Sequence, residues 1–510
     1  MESATMSFPI SKTYFLAGLH CPKRLWLSIC RPEDASPMSL AAEQRIKQGK
    51  AIGVAARESF KNGILVDGSL KYCLEKSWEL TVVGAGQGVE CLFEPAFLYD
   101  DILVRCDVLR RLPSGNWEII EVKSATKLKD EHIADLTLQQ YVLEGLGLTV
   151  EKTSLMVVNP MARNWSVVQD RFCYQDVTAA VMCWRGQLPQ KLAEFRTLLT
   201  EPTAPQVPIG SHCDRPYRCP FKDHCWQNVP PISIFDIPLL KQDKLQNLME
   251  SNIWNLEDIP AEFPLTQKQR SFIDRMTEAK PQIDQDLLKQ LLGQIQPNQP
   301  LYFFDVETHS SAIPRFAGLH PYERCIFQYS CHRLNPDGSL EHFEYLHTEN
   351  SDPRLPLLIS LIHHIGDRGS VVVYNQSFEK GVLQQLAAAY PNYGANINQI
   401  IDRLWDLQVI FKKAYFHPGF RGSYSLKKVL PVMAPQFCHD DLVIKSGNEA
   451  PLVWEALLEC SVPDRRAEMA QQLREYCGLD TLGMVKIYQV LQRELKDWLG
   501  LARIKWPGII

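Results

Sequence analysis

The stretch LYFFDVETH, residues 301–309, constrains the chain more than any other. It follows the breaker-rich QPNQP and runs as an apolar strand straight into Asp305 and Glu307. Alternation along a strand puts residues i and i+2 on one side, so both carboxylates face the same way. Two such groups repel each other, and burying them uncompensated is costly. Either the strand ends in solvent with two hydrated acids, or something positive sits between them. A hard divalent cation such as Mg2+, which takes oxygen ligands, is the natural candidate.

The 510 residues suffice for two or three domains. Hydrophobic residues make up 45% and charged residues 22%, the balance of an ordinary soluble globular protein. A net charge of −5 gives no global basic field, although a locally basic surface is enough to meet nucleic acid. No apolar run approaches the length of a membrane span, and MESATMSFPISK lacks the apolar core of a signal peptide. The expectation is a cytoplasmic protein with no membrane role. In that compartment fifteen cysteines do not form a disulfide framework. Most read as small buried hydrophobes, such as Cys106 in ILVRCDVL and Cys183 in VMCW.

Three blocks follow from the patterning. Residues 1–235 open with helical runs (LWLSIC, EQRIKQGKAIGVAARESF), continue through strands and end in a Cys/Pro-rich stretch. Residues 236–300 carry helical runs such as LLKQDKLQNLMES and DQDLLKQLLGQI, and read as a helical linker module. Residues 301–510 hold the strands LYFFDVE, FQYSCHRL, FEYLHT and SVVVYN, then long helices. The fold class expected is α/β.

In the first block ILVRCDVLRRL (102–112) and WEIIEVKSA (117–125) read as a hairpin closed by PSGN. Asp107 lies on the first strand, and Glu121 and Lys123 share a face of the second, with Val122 between them. An acid on each strand can hold a divalent metal. A lysine one pleat away can position a water and offset developing negative charge. A helix over 135–147 brings Gln139 and Tyr141 near the site. The bland alternative is an exposed hairpin with a surface Glu–Lys pair.

Cys213, Cys219 and Cys225 recur at six-residue steps in HCDRPYRCPFKDHCW, and Cys21 stands far upstream in GLHCPKRLW. A cytosolic thiol cluster of this kind points to metal. Zinc sites favour closer cysteine pairs. Wide loops closed by one distant cysteine suit a [4Fe–4S] cluster held by four thiolates. His212 and His224 border the cluster as neighbours rather than ligands.

In the last block Asn375 falls at the end of a strand and Glu379 near the start of the following helix. Tyr476 and Asp480 lie four apart on one helix face. Asp305, Glu307, Glu379 and Asp480 together could hold two metal ions about 4 Å apart, the geometry that clamps the attacking and leaving oxygens of a phosphodiester. Asp406 is a supporting acid or a helix cap.

These constellations carry resemblances. Asp107, Glu121-Val122-Lys123 and Gln139 resemble the PD-(D/E)xK core of RecB-like nucleases, which include the CRISPR-associated exonucleases. The resemblance implies a restriction-endonuclease-like domain with metal at Asp107, Glu121 and Val122, Lys123 assisting the attacking water and Gln139 supporting the site. Many members add a metal-binding His on the first core helix. Here Gly53 falls at that place, and Glu94 is a substitute. Iron–sulfur members have one cysteine before the core and three after, which implies a [4Fe–4S] cluster on Cys21, Cys213, Cys219 and Cys225.

Asp305-Val306-Glu307-Thr308, Asn375 to Glu379, and Tyr476-x3-Asp480 resemble the three motifs of DEDD exonucleases with an RNase H-like fold, except that Glu379 stands where Asp is usual. That resemblance implies 3′–5′ exonuclease activity with two Mg2+ or Mn2+ ions, and Tyr476 orienting the water. As a whole the chain resembles bacterial fusions of an iron–sulfur RecB-like nuclease with a domain of unknown function. The function implied is a metal-dependent DNA nuclease with two active sites, acting on single-stranded or 3′-tailed DNA. Arg105, Arg110, Lys123, Lys127 and Lys129 would meet the phosphates. The alternatives are an RNA-processing exonuclease and a nucleic-acid-binding protein with a degenerate site.

Overall fold

The computed structural model describes residues 9–82, 88–278 and 280–498. They form a mixed α/β protein divided into two compact units, residues 1–228 with 311–323, and residues 229–310 with 324–510. Among the described residues no helix is long and apolar enough to cross a membrane.

The first unit is built on a six-stranded sheet. Its spatial order is Gly63–Leu65, Cys91–Phe93, Val108–Arg111, Trp117–Lys123, Val150–Val158, Phe172–Asp176. Trp117–Lys123 pairs antiparallel with Val108–Arg111 and parallel with Val150–Val158. Parallel neighbours need a crossover, and the helix Asp130–Gly145 supplies it.

WEIIEVK is apolar on both sides because both sides are covered. Trp117 and Ile119 join the core that holds Leu136 and Leu138 of the crossover helix. Ile120 and Val122 pack with Ile52, Ala55 and Ala56 of the helix Leu40–Arg57. Alternation then turns Glu121 and Lys123 toward the crossover helix.

Three local expectations change. The stretch 102–112 is not one strand: Ile102–Arg105 belongs to a small separate sheet with Ala96–Tyr99 and Ile10–Ser11. Asp107 sits where the chain leaves that sheet to enter the large one. The crossover helix starts at Asp130, five residues earlier than the periodicity predicts, because its first turn carries Asp130 and Glu131. Cys106 is buried, but Cys183 is exposed. It lies two residues beyond Val181, the buried residue of the helix Thr178–Arg185.

The second unit holds a five-stranded sheet in the order Leu340–Leu346, Cys325–Leu334, Leu301–His309, Ser370–Val373, Leu404–Asp406. The first two pairings are antiparallel and the last two parallel. Tyr302, Phe304 and Val306 pack with Leu357, Leu361 and Val382 on one face. Leu301 and Phe303 pack on the other with Val429, Leu430, Met484 and Val485. Residues 305 and 307 continue the second series, so they face the 36-residue helix Pro463–Trp498. The helices of 236–300 pack into this unit: Leu245, Leu248 and Phe272 share a core with Phe416, and Leu288 and Leu291 pack with Leu301 and Phe303.

Candidate active sites and thiol cluster

Leu301–His309 is the strand at which the sheet switches from antiparallel to parallel neighbours. Ser370–Val373 runs parallel beside it and Leu404–Asp406 one strand further out, and ligands of open α/β sheets bind at the carboxyl ends of strands near such a switch. A cavity of about 530 Å³ lies there. Asp305, Glu307, Glu379, Tyr476 and Asp480 all line it, together with Asn375. The four acids and the tyrosine picked from the sequence therefore meet at one place.

Their surroundings are hostile to charge. Burial pushes the Asp305 carboxyl well above the usual range, and Asp480 adds to the shift. Burial, then Asp305 and Asp480, does the same to Glu307. Burial and Asp305 push Glu379 up to about 9. Glu379 is 2% exposed, and its Oε2 has no hydrogen-bond partner. Asn375 reaches this corner in the left-handed region, with φ 83°. Asp406 accepts from the backbone N–H of Asn375 and of Gln408, both at 3.0 Å, so it caps and orders the turn.

Three residues without a motif complete the site. Lys427, from the helix Leu426–Met433, donates to the Tyr476 hydroxyl at 2.8 Å and to the Lys445 carbonyl at 2.7 Å. Burial lowers its pKa, against the opposing pull of Asp480 and Glu307. His439 Nε2 meets Asp480 Oδ1 at 2.8 Å. Cys477 is buried, with its Sγ 3.8 Å from Asp305 Oδ2.

In the first unit the sequence set also converges. Asp107 accepts from the Val122 N–H at 2.6 Å. Lys123 donates to Glu121 at 2.6 Å, and the Gln139 amide donates to Glu121 Oε2 at 2.8 Å. Two more residues belong to the network. Asp135, one turn before Gln139, accepts from Gln139 at 2.9 Å and pairs with Lys123 at 3.0 Å. Lys12 follows a two-residue strand and begins the helix Lys12–His20; it donates to Glu121 Oε1 at 2.6 Å and pairs with Asp135 at 3.2 Å.

Burial alone would raise the Glu121 carboxyl, but the Lys12 and Lys123 ammoniums outweigh it and hold the group well below the usual range. Burial and Glu121 push Asp107 up to about 7.

Other expectations fare differently. A Cβ on Gly53 would meet nothing within 4 Å, and Glu94 forms an ion pair with Arg57 at 3.2 Å. Tyr141 turns away from the network and donates to Asp100 at 2.8 Å. Arg110 is engaged by Glu118 at 2.8 Å, Arg105 contacts Cys73 Sγ at 3.5 Å, and Lys129 pairs with Glu131 at 3.4 Å.

Cys21, Cys213, Cys219 and Cys225 line one cavity. Cys21 joins the helices Lys12–His20 and Pro22–Cys30. The Cys219 N–H donates to the Cys213 carbonyl at 2.8 Å. His20 Nε2 lies 2.8 Å from the His212 carbonyl oxygen and 2.9 Å from that of Arg215, stapling the two segments. Burial raises the thiols of Cys219 and Cys225. His212 Nε2 is 3.7 Å from Cys213 Sγ, whereas His224 lies toward Asp34.

A family model described as a domain of unknown function, DUF2779, matches residues 302–425. That span holds Asp305, Glu307, Glu379 and Asp406. Among curated relatives, "Uncharacterized protein MG366 homolog" of Mycoplasma pneumoniae is 28% identical over 207 residues, 36% of this chain and 31% of the relative. "Uncharacterized protein UU173" of Ureaplasma parvum serovar 3 is 32% identical over 221 residues, 38% of this chain and 31% of the relative. The match thus spans under a third of each relative's length. A solved structure described as "Crystal structure of SSO0001" overlaps 40% of this chain and 80% of its own at 14% identity, with a TM-score of 0.19.

Proposed function

We propose that the protein is a metal-dependent DNA nuclease with two active sites: an iron–sulfur RecB-like site of the PD-(D/E)xK class in the first unit, and an RNase H-like DEDD 3′–5′ exonuclease in the second. One observation carries the reading. Asp305, Glu307, Glu379 and Asp480 line a single cavity in which burial and mutual repulsion raise three of the four carboxyls. Carboxylates gathered at such a cost fit divalent cations, whose charge would offset the repulsion.

The four acids suit two hard ions. Their donor atoms are all oxygen, and Glu379 Oε2 is left without a partner. Mg2+ or Mn2+ held by these four acids would supply Lewis acidity and a metal-activated water. Tyr476 has the polar group to orient that water. The Lys427 ammonium can only donate, so the Tyr476 oxygen accepts from it and keeps its own proton for a neighbour in the cavity.

In the first unit Lys123 and Gln139 fix Glu121, and the Val122 N–H fixes Asp107. Two acids on either side of Val122 suit one hard cation. Lys12 favours a second reading of this site alone: two ammoniums already neutralise Glu121, as in a platform that grips DNA without cutting it.

The four cysteines fit an iron–sulfur cluster better than zinc. Thiolates about 2.3 Å from one zinc in a tetrahedron sit within about 4 Å of each other. Cys21, Cys213, Cys219 and Cys225 line one cavity although they come from segments far apart in sequence. Six-residue steps between Cys213, Cys219 and Cys225, closed by the distant Cys21, suit four thiolates on a larger inorganic core better than the close pairs of a zinc site.

End-labelled single-stranded, double-stranded and 3′-tailed DNA, with matched RNA, tests the whole reading. Asp305→Ala should abolish 3′–5′ trimming, and Lys123→Ala should abolish only the remaining cleavage. If Lys123→Ala changes nothing while Asp305→Ala removes every cut, the first unit is the gripping platform. Trimming of RNA but not of DNA would overturn the substrate assignment.

A further inference from the structure

Cys477 is a buried thiol against Asp305 that the proposed chemistry does not use. Among the described residues, one group of three metal-ligating side chains has all its ligand atoms within 4.8 Å of one another: Asp305, Glu307 and Cys477. Cys477 is buried on the helix Pro463–Trp498, next to Tyr476 and three residues before Asp480. Its Sγ lies 3.8 Å from Asp305 Oδ2. A second observation points to a ligand at the two carboxylates: Glu379, 2% exposed, lines one cavity with Asp305 and Glu307, and its Oε2 is unpartnered.

Hard cations gain little from sulfur, whereas zinc and its softer relatives prefer it. Two carboxylates and a thiolate at this spacing match the three protein ligands and one open position of a zinc site. We propose that Asp305, Glu307 and Cys477 form a binding site for a thiophilic divalent cation, Zn2+ in the first instance. Occupied in this way, Asp305 and Glu307 are withdrawn from the hard ions, so Zn2+ switches off the proposed exonuclease. That inhibitory consequence rests on the exonuclease reading; the binding site does not. No redox step is involved. The Cys477 S–H bond breaks, its proton passes to solvent, and the sulfur lone pair forms the bond to the cation.

The test uses the full chain with its own metal cluster in place. Cd2+ is titrated as the spectroscopic probe and read by thiolate-to-cadmium charge-transfer absorption. Zn2+ is titrated against Mg2+-supported trimming of 3′-labelled DNA. The difference between wild type and Cys477→Ser isolates this thiol from the other fourteen. One Cd2+ equivalent and its absorption should vanish in Cys477→Ser and in Asp305→Asn. Loss of a ligand should weaken Zn2+ inhibition by at least about tenfold in Cys477→Ser, with each protein's inhibition scaled to its own trimming rate without Zn2+. Cys477→Ala is the second variant should the serine unfold the helix, checked by melting in metal-free buffer.

Equal Cd2+ stoichiometry and equal Zn2+ inhibition in wild type and both variants would overturn the proposal. Loss of the Cd2+ equivalent in a protein that trims no DNA would sustain the metal site and remove the exonuclease reading instead.

Discussion

Tyr476 shows how much one hydroxyl is asked to do. It is 2% exposed, its oxygen accepts from Lys427 at 2.8 Å, and Asp480 lies one helical turn away. Tyr476→Phe keeps the ring and deletes the hydroxyl. Loss of one positioning hydrogen bond in a transition state costs on the order of 2–4 kcal/mol, or about 10²- to 10³-fold in rate. Single-turnover trimming should fall by that factor while Mn2+ affinity stays put; wild-type rates would reduce Tyr476 to a packed helix residue. Glu379 gives a pH prediction. Its carboxyl is raised from 4.5 to about 9, so between those values a proton occupies the site that the proposed cation would need. Apparent Mn2+ affinity should therefore rise with pH across that window and level off above it. Glu379→Gln should flatten part of the slope, and an identical slope in the variant would show that Glu379 takes no part. The same proton makes the metal-free fold more stable at the acid end of the window, because there the folded state binds the proton more tightly than the unfolded chain.

At the scale of elements, legibility follows periodicity. Asp305 and Glu307 could be placed because a strand repeats every two residues, and Phe303 fixed which face was which. Tyr476 and Asp480 could be paired because a helix brings i and i+4 together. The same rule places Asp135 beside Gln139, one turn apart and both wholly buried, already within the expected helix over 135–147, but Asp135 stands in no motif that would single it out. Lys12, Lys427 and His439 left no such signal. Each arrives from a distant segment, and no local pattern tells a lysine that meets Glu121 from one that meets water. The strand break at Cys106–Asp107 was equally silent, since both halves are apolar and pair in different sheets. One element makes a prediction. Asn375 opens the helix Gln376–Ala389 with φ 83° and ψ 68°, a conformation strained for most side chains. Asn375→Ala should destabilise the second unit by about 1–2 kcal/mol, and Asn375→Gly by less. Denaturant melts with the order reversed would show that the Asn375 side chain, not its backbone, holds the turn.

For the whole molecule, the proposed cluster on the four cysteines would decide what the first unit needs in order to fold. Its beginning and its end meet where Cys21 shares a cavity with Cys213, Cys219 and Cys225, beside the carbonyls that His20 touches. Trp26 and Leu27 pack there with Cys219 and Phe221 in a cluster of their own, small beside the sheet core. A cross-link between segments so far apart in sequence removes much freedom from the unfolded chain, on the order of 5 kcal/mol by analogy with a disulfide closing a long loop. Metal binding free energy adds to folding free energy in such a unit. Cys219→Ser, prepared without oxygen, should lose the brown colour of an iron–sulfur protein. Amide hydrogen exchange should then rise across residues 9–228. The second unit has its own sheet and cores, so protection along Leu301–His309 and 3′–5′ trimming should persist. Stoichiometric zinc without iron in the anaerobic wild type would sink the cluster assignment. Loss of protection in both units would show that the cysteines stabilise more than the unit that contains them.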